Sequence, residues 1–192
     1  MNALDLFNYD RRSARGKKDP NAALCTLATV DADGEPQART LVLRDVEDAN
    51  SMRLGVFVNE TSPKIDEFSQ SHLVTVVTYF ESISLQYRIR CSLEIINPEI
   101  VHASWLLRPD APKRMDWVYE DVPQSTSIRT RETLITIFNK TKDEPIAPPS
   151  ARGYFVNPEY IERLDLNQSN GIHKRQLFEK VGTDWKLTTL VP

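Results

Sequence analysis

The first half of the chain carries a succession of apolar runs that predict β-strands. They cover residues 24–30, 37–45, 52–59, 73–80 and 82–96. The run at 73–80 is apolar on both faces, which is typical of a central, buried strand. In the run at 82–96, the longest, apolar and polar residues alternate, so that one face packs and the other is polar. That polar face fits either solvent exposure or a binding surface.

Further segments between and after these runs predict helices and more strands. The helices cover residues 3–18, 61–71, 98–107 and 130–140, with a short one near Trp117, and the strands cover 154–156, 160–166, 173–179 and 185–190. Because strands and helices come in groups, the order differs from parallel βαβ units. It predicts a mainly β fold, an antiparallel, Greek-key-like β barrel with peripheral helices. The residues after the proline-rich stretch 144–149 are too few to fold alone, so we expect a single domain over residues 1–192.

Composition and charge narrow the function classes. Hydrophobic residues make up 40% of the chain, charged residues 27%, and the net charge is −3. These values are ordinary for a globular protein and disfavour nucleic-acid binding. No apolar run approaches membrane-spanning length, and the N-terminus lacks the basic start of a secretory signal. Cys25 and Cys91 fit a reducing cytoplasm as small core residues, with a single disulfide as the less favoured alternative. We therefore expect a cytoplasmic protein without a nucleic-acid or membrane partner.

The sequence contains no recognisable metal motif and no glycine-rich phosphate loop. His72, His102 and His173 are scattered, outside any spacing typical of zinc sites, so we predict no metal site. With only 6 glycines in the chain, a bound phosphate must be held by side chains and helix ends.

Two neighbouring segments offer such a phosphate site. Arg39 supplies a forked guanidinium and Lys64 a point charge. Ser62 or Thr61 can cap the following helix, with Pro63 at its first position. The free N–H groups at that helix start would also favour an anion. Either cation alone fits a solvated surface charge, but the combination favours a phosphorylated ligand.

A series of segments follows in a specific order along nearly the whole chain. They are residues 24–34, 39–44, 56–64, 86, 107–109, 124–125, 153–158, 173–175 and 185–192. In this order and spacing they resemble the pyridoxamine 5′-phosphate oxidase family of FMN-binding split barrels.

The resemblance implies a homodimer with two FMN molecules in the clefts between the subunits. Arg39, Ser62 and Lys64 would hold the FMN phosphate, and Gln86 would hydrogen-bond the polar edge of the isoalloxazine ring. The remaining implied contacts are Thr40, Leu41, Val42, Phe57 and Val58 along the flavin, and Gln124, Ser125 and Arg175 from the partner subunit.

Several positions depart from the family's pattern. Pro63 takes the second place of a Ser-Arg-Lys phosphate motif, and Leu164 replaces the tryptophan that flanks the flavin. Ser104 and Pro112 replace a tyrosine and a serine that bind the substrate phosphate, and residues 171–173 keep a histidine but lose an arginine. Each charge-assisted hydrogen bond is worth roughly 1.5–3 kcal/mol, so these losses disfavour pyridoxamine phosphate as substrate.

We therefore expect an FMN-dependent oxidoreductase of unassigned substrate. Arg44, Arg108 and His173 are the candidates for substrate contact. Arg39 and Arg44 are five residues apart and point to opposite faces of a regular strand, which assigns Arg44 to the ring or the substrate. Arg108 equally fits a charge at a helix C-terminus, and His173 a strand surface. Two alternatives stay open: a true pyridoxamine or pyridoxine 5′-phosphate oxidase, and a non-catalytic flavin-binding dimeric scaffold.

Overall fold

The computed structural model describes residues 2–49, 51–71 and 73–192. This part of the chain forms nine strands and five α-helices. The strands are β1 Leu24–Val30, β2 Pro36–Val42, β3 Arg44–Asp48, β4 Ser51–Asn59, β5 Leu73–Phe80, β6 Leu85–Ile95, β7 Ala151–Asp165, β8 Lys174–Val181 and β9 Asp184–Leu190. The helices are α1 Ala3–Gly16, α2 Lys64–Gln70, α3 Pro98–Leu106, α4 Asp110–Asp121 and α5 Arg131–Lys140.

All nine strands join one curled sheet in which every pairing is antiparallel. The strand order is β2-β1-β5-β6-β7-β4-β3, with β8 added to β7 and β9 to β8. Along the side opposite β6, the first part of β7 pairs with β4 and its last part with β8. The curl brings β2 against β4, which turns the sheet into a half-barrel. The prediction of a mainly β, antiparallel, barrel-like core is confirmed.

The predicted strand at 37–45 is wrong as one element, because the chain changes pairing partner at Leu43. Up to Val42 it pairs with β1, and from Arg44 onward it pairs with β4. Leu43 is buried between them, and its N–H donates a 2.9 Å hydrogen bond to the Ala23 carbonyl. The break removes the regular alternation between Arg39 and Arg44 on which the opposite-face argument depended.

Two other predicted boundaries are also corrected. The strands predicted at 154–156 and 160–166 form one continuous element, β7, which at 15 residues is longer than β6. A bulge opposite the Arg90–Cys91 step lets Pro158 lie within the pairing. The predicted run at 82–96 begins late, because Glu81–Ile83 forms a 3₁₀ turn and Ser84 has a left-handed φ of 49°.

The core lies between the inner face of the sheet and α1. Phe7 of α1 packs edge-on against Tyr87, with ring centroids 4.9 Å apart. On β5, Val74 and Val76 point into this core, whereas Leu73 is 47% and Tyr79 is 39% exposed. The predicted central position of β5 in the sheet is confirmed. The prediction that both of its faces are buried is wrong.

The opposite side of the sheet is called the outer face here. Strand register places Thr40 of β2, Thr26 of β1, Val77 of β5 and Arg88 of β6 in one row across it. It also carries the exposed apolar side chains Val42, Leu73 and Tyr79, together with Gln86 and Arg175.

Candidate functional site

A cluster of charged and hydroxyl side chains joins β1, β2 and α2. The Arg39 guanidinium donates a 2.6 Å hydrogen bond to the Glu67 carboxylate and a second hydrogen bond to the Thr29 hydroxyl. Thr29 in turn donates to Glu67. The Glu67 side chain is only 8% exposed, so this carboxylate fixes Arg39 from below the surface. The cluster fixes one end of the Arg39 guanidinium, while 22% of the Arg39 side chain stays exposed to solvent.

Lys64 lies beside this cluster at the start of α2. Its ammonium group donates to the Ser62 hydroxyl and, at 3.4 Å, to the Gln124 amide oxygen. Burial lowers the pKa of Lys64, the nearby Arg39 guanidinium lowers it further, and Glu67 opposes both effects. Two cations and one carboxylate leave a net positive charge, which an anion at this point would offset.

The predicted capping of α2 is wrong. The helix begins at Lys64, and its N-cap is Pro63, which makes no side-chain cap hydrogen bond. Thr61 and Ser62 have other partners: the Thr61 hydroxyl accepts from the Gln124 N–H, and the Ser62 hydroxyl accepts from Lys64. Asp66 and Glu67 occupy the first turn of this seven-residue helix. The positive charge at this point therefore comes from the side chains of Arg39 and Lys64 and not from a capped helix terminus.

A cavity of about 410 Å³ opens next to Lys64. Its walls come from β2, β4, α4 and the segment after α4, and the lining residues are Leu41, Phe57, Val58, Asn59, Lys64, Arg108, Ala111, Pro112, Met115, Asp116, Tyr119 and Gln124. Apart from Pro112, the α4 wall was missed in the sequence. Pro112, Met115, Asp116 and Tyr119 follow the three- and four-residue spacing of one helix face, which is the only signal that could have revealed it.

The end of the cavity near Arg108 continues into a small niche. This niche, of about 20 Å³, is lined by Arg44 and Ser104 among others, and it shares Phe57 and Arg108 with the cavity. The Arg44 guanidinium lies over the Phe57 ring, 5.7 Å from its centroid. Burial lowers the pKa of Arg44, and so does the positive charge of Arg108.

Arg108 itself is held by a buried carboxylate. Its guanidinium donates to Asp116, which also accepts a 2.9 Å hydrogen bond from the indole N–H of Trp105. Burial raises the pKa of Asp116, while Arg108 and Trp105 oppose the rise. Burial and the charge of Asp116 also raise the pKa of Tyr119, whose side chain lines the same wall.

The structure brings together only part of the predicted set. Leu41, Phe57, Val58, Lys64, Gln124 and Arg108 line the cavity, and Arg44 lines the niche. Arg39 and Ser62 do not line the cavity but lie near Lys64. Gln124, which the resemblance assigns to the partner subunit, has its amide oxygen 3.4 Å from the Lys64 ammonium of its own chain. Its assignment to the partner's flavin stays a prediction.

The other predicted residues lie away from the cavity of their own chain. Thr40, Val42, Gln86 and Arg175 are on the outer face, where Arg175 donates a 3.0 Å hydrogen bond to Glu162. Ser125 and His173 are exposed in loops, and Ser125 has a left-handed φ of 71°.

The two histidines within the described residues, His102 and His173, lie in different parts of the fold. His102 accepts a 3.2 Å hydrogen bond from the Ala147 N–H, which anchors the loop before β7. His72 lies outside the described residues. Within residues 2–49, 51–71 and 73–192, no group of three or more His, Cys, Asp or Glu side chains could hold a metal ion. No helix in these same ranges has the length and apolar character needed to cross a membrane.

Comparison with known proteins identifies the family. The model of the FMN-binding domain of pyridoxamine 5′-phosphate oxidase matches residues 7–97. A pyridoxine/pyridoxamine 5′-phosphate oxidase from Nostoc punctiforme is 30% identical over 191 residues, which cover 96% of this chain and 85% of that relative. The chain belongs to the pyridoxamine 5′-phosphate oxidase family. The match of the family model includes Arg39, Lys64 and Gln86, and it ends before α3 and α4 begin.

Two solved structures share the fold of this pyridoxamine 5′-phosphate oxidase family member. PhzG from Burkholderia lata, in complex with tetrahydrophenazine-1-carboxylic acid, has a TM-score of 0.87 at 21% identity, covering 100% of this chain and 93% of PhzG. A pyridoxamine 5′-phosphate oxidase-related, FMN-binding protein from Nostoc punctiforme has a TM-score of 0.83 at 20% identity, covering 100% and 99%. At these identities the likeness concerns the fold, and the split-barrel prediction is confirmed.

Proposed function

We propose that the chain binds FMN in the cavity beside Lys64 and acts as an FMN-dependent oxidoreductase of unassigned substrate. The observation that carries this proposal is that Lys64 lines a cavity of about 410 Å³, with the Ser62 hydroxyl bonded to it and the Arg39 charge acting on it. The family model that matches the chain describes an FMN-binding domain, which supports FMN as the ligand.

The cationic end of the cavity fits the FMN phosphate. A phosphate monoester carries about −1.5 to −2 charges at neutral pH, and the cluster offers one net positive charge, a hydroxyl and an amide. Lys64 is buried, and Arg39 lowers its pKa, so the ammonium lacks a full counter-charge. A phosphate bound here would stabilise the protonated lysine and accept hydrogen bonds from Lys64 and Ser62.

The apolar walls of the cavity fit the flavin ring. Leu41, Phe57 and Val58 form one side, and Met115 of α4 lies on the other. A volume of about 410 Å³ falls within the roughly 300–1,000 Å³ that is usual for sites of small-molecule ligands. When bound, FMN supplies hydride and electron transfer chemistry. The residues of the chain bind its phosphate, orient its ring and exclude water from the α4 side.

The proposal includes a homodimer that completes the site. Gln86 and Arg175, implied as flavin contacts, lie on the outer face and do not line the cavity of their own chain. A partner's outer face docked beside the cavity would supply them. The exposed apolar side chains of Val42, Leu73 and Tyr79 on this face support such a contact, because apolar patches often mark interfaces.

Two further parts of the proposal concern the chain as a whole. We regard residues 1–192 as one FMN-binding domain, because all nine strands form a single sheet. A cytoplasmic location is proposed from Cys25 and Cys91, which are both buried and free.

Both alternatives to this function stay open to experiment. A true pyridoxamine or pyridoxine 5′-phosphate oxidase is favoured by the names of the curated relatives. Pro112 at the cavity wall disfavours it, since this side chain offers no hydrogen-bond donor to a substrate phosphate. A non-catalytic dimeric scaffold is distinguished by turnover, because its bound flavin would not be reduced by NADH or NADPH and then reoxidised by oxygen. Oxygen-dependent formation of pyridoxal phosphate would instead establish the oxidase.

The proposed FMN site is tested by cofactor content. Lys64→Ala and the double variant Arg39→Gln, Glu67→Gln should lose the 450 nm flavin absorbance of the purified protein, because they remove the cations. The double variant avoids leaving the buried Glu67 carboxylate unpaired. Arg12→Ala and Lys186→Ala, both at exposed positions, serve as controls and should keep FMN. Unchanged flavin content in the site variants would reject the proposed position of the phosphate.

A further inference from the structure

A series of hydrogen bonds connects the end of β4 with the segment after α4 and ends at Lys64. The Thr61 hydroxyl accepts a 3.1 Å hydrogen bond from the backbone N–H of Gln124. The side-chain oxygen of Gln124 in turn accepts a 3.4 Å hydrogen bond from the Lys64 ammonium, which also donates to the Ser62 hydroxyl. Thr61 is therefore linked to the candidate phosphate site through one residue, although it is not itself part of the cavity lining.

The direction of the Thr61 hydroxyl is fixed by Asn59. The side-chain oxygen of Asn59 accepts a 2.6 Å hydrogen bond from the Thr61 hydroxyl and a 2.9 Å hydrogen bond from the Thr61 N–H. Its amide nitrogen donates to the Ser150 hydroxyl at 2.6 Å, which fixes the orientation of the amide. A hydroxyl has one proton, and here that proton goes to Asn59, so the Thr61 oxygen is left to accept from the Gln124 N–H.

The support of this network belongs to three elements of the fold. The Ser150 N–H donates a 3.1 Å hydrogen bond to the Glu120 carboxylate, and its carbonyl accepts a 2.7 Å hydrogen bond from the Glu60 N–H. Glu120 lies in the last turn of α4, and Ser150 directly precedes β7, so both elements meet the end of β4 at Asn59. Asn59 is only 5% exposed, which shields its amide from water. Thr61 thus transmits the position of a buried amide to the segment after α4.

The contact with Gln124 orders the Lys64 side chain. An ammonium group has three N–H donors, and within residues 2–49, 51–71 and 73–192 two of them are used, by Ser62 and Gln124. The third is left for a ligand in the cavity that Lys64 lines. Because the oxygen of the Gln124 amide accepts from Lys64, its N–H groups are also left for an anion. A lysine that is already ordered loses less conformational entropy when it binds a ligand.

We propose that Thr61 is a positioning residue of the phosphate site: it holds the segment after α4 so that Gln124 orders Lys64, and it thereby raises the affinity for FMN through the phosphate group. This inference rests on the proposed function, because it takes Lys64 as a ligand of the FMN phosphate. The apolar walls assigned to the flavin ring, Leu41 and Phe57 among them, do not depend on this network. The effect of Thr61 should therefore be absent for a flavin without a phosphate.

The test compares FMN with riboflavin, which has the same ring but no phosphate. Protein loaded with either flavin is diluted in steps, and the fluorescence of the released flavin gives each dissociation constant. The wild type should bind FMN more tightly than riboflavin. Thr61→Val keeps the shape of the side chain but removes the hydroxyl. It should weaken FMN binding about three- to tenfold, the range expected for one lost hydrogen bond, and leave riboflavin binding unchanged.

Further variants assign the effect to the hydroxyl and to Gln124. Thr61→Ser keeps the hydroxyl and should restore the wild-type ratio of the two dissociation constants. Thr61→Ala should act like Thr61→Val, and it gives an independent result if the valine variant folds poorly. In a Gln124→Ala background, Thr61→Val should not change the ratio further, because Thr61 acts through Gln124. Thr141→Val is the matched control and should change neither constant, because Thr141 is also half-buried and hydrogen-bonded but lies at the end of α5, outside the cavity.

The two dissociation constants separate this inference from the proposed function. A wild-type protein that binds neither flavin, or binds FMN no more tightly than riboflavin, contradicts the proposed phosphate site and the inference with it. A wild type that prefers FMN, together with an unchanged ratio in Thr61→Val and Thr61→Ala, overturns the inference alone. Equal losses of FMN and riboflavin affinity also overturn it, because Thr61 would then support the fold and not the phosphate site.

Discussion

The Arg39 guanidinium and the Glu67 carboxylate form a 2.6 Å ion pair that links β2 to α2 beneath the cationic end of the cavity. Glu67 is almost fully buried, and the Thr29 hydroxyl satisfies it further. The pair therefore contributes both to the stability of the fold and to the candidate phosphate site. Single and double variants can measure these two contributions separately.

Removing one partner of this pair should cost more stability than removing both charges. Arg39→Ala leaves a buried carboxylate without its cation, and we expect a loss of about 3 kcal/mol in the free energy of unfolding. The double variant Arg39→Ala, Glu67→Gln should recover part of that loss, because no charge stays buried. Urea denaturation of both variants and of Glu67→Gln alone measures the coupling. Additive losses in the double variant would contradict this account of the pair.

A second buried network joins α1 to the centre of the sheet. The Tyr87 hydroxyl donates a 2.6 Å hydrogen bond to Asp10, and Arg163 donates to the same carboxylate at 2.9 Å. Tyr87→Phe should lower the free energy of unfolding by about 1–2 kcal/mol, since a buried hydrogen bond to a charged group is lost. Tyr9→Phe, at an exposed position on the same helix, should change it by less than about 0.5 kcal/mol. Equal stabilities of the two variants would show that the network contributes nothing.

Much of the fold could be predicted because single strands carry their own pattern. β1 and β5 occupy the predicted residues without change, since their apolar runs end at turn or polar residues. The break at Leu43 could not be predicted, because residues 37–45 look like one strand and only the two different partners, β1 and β4, divide them. Strand pairing depends on residues distant in sequence, which a local pattern does not contain.

In the candidate site, too, the charged residues could be predicted from the sequence, but their pairing partners could not. Arg39 and Lys64 were recognisable as a cationic pair near an apolar strand. The neutralisation of Arg39 by Glu67 and of Arg108 by Asp116 was not, because acidic residues in a helix usually indicate a solvated surface. The contact of Gln124 with Lys64 spans 60 residues and depends on how the segment after α4 folds back.

The buried thiols should make stability fall at alkaline pH. Burial raises the pKa of Cys25 to about 11 and that of Cys91 to about 12. Because these pKa values are raised in the folded state, the stability they contribute is complete below the unfolded-state pKa of about 8.5 and is lost as pH rises toward 11–12. Each thiol that ionises only in the unfolded state contributes up to about 1.4 kcal/mol per pH unit to this decline.

Two measurements check the behaviour of the thiols. Urea denaturation between pH 8 and pH 10.5 should give a shallower decline for Cys25→Ala, Cys91→Ala than for the wild type, although both variants also lose packing. At pH 8, Ellman's reagent should label the native protein slowly and both thiols after unfolding, since both are free and buried. Rapid labelling of the native protein would contradict their burial.

The outer face should control both assembly and FMN content if a partner completes the site. Leu73→Glu and Tyr79→Glu place a charge on exposed apolar positions of this face, and we expect them to convert a dimer into monomers and to reduce bound FMN. Light scattering coupled to size-exclusion chromatography gives the mass, and absorbance gives the flavin. Ile146→Glu, at a 54% exposed loop position, is the control and should stay dimeric. A dimer with full FMN content in both outer-face variants would refute a shared site on this face.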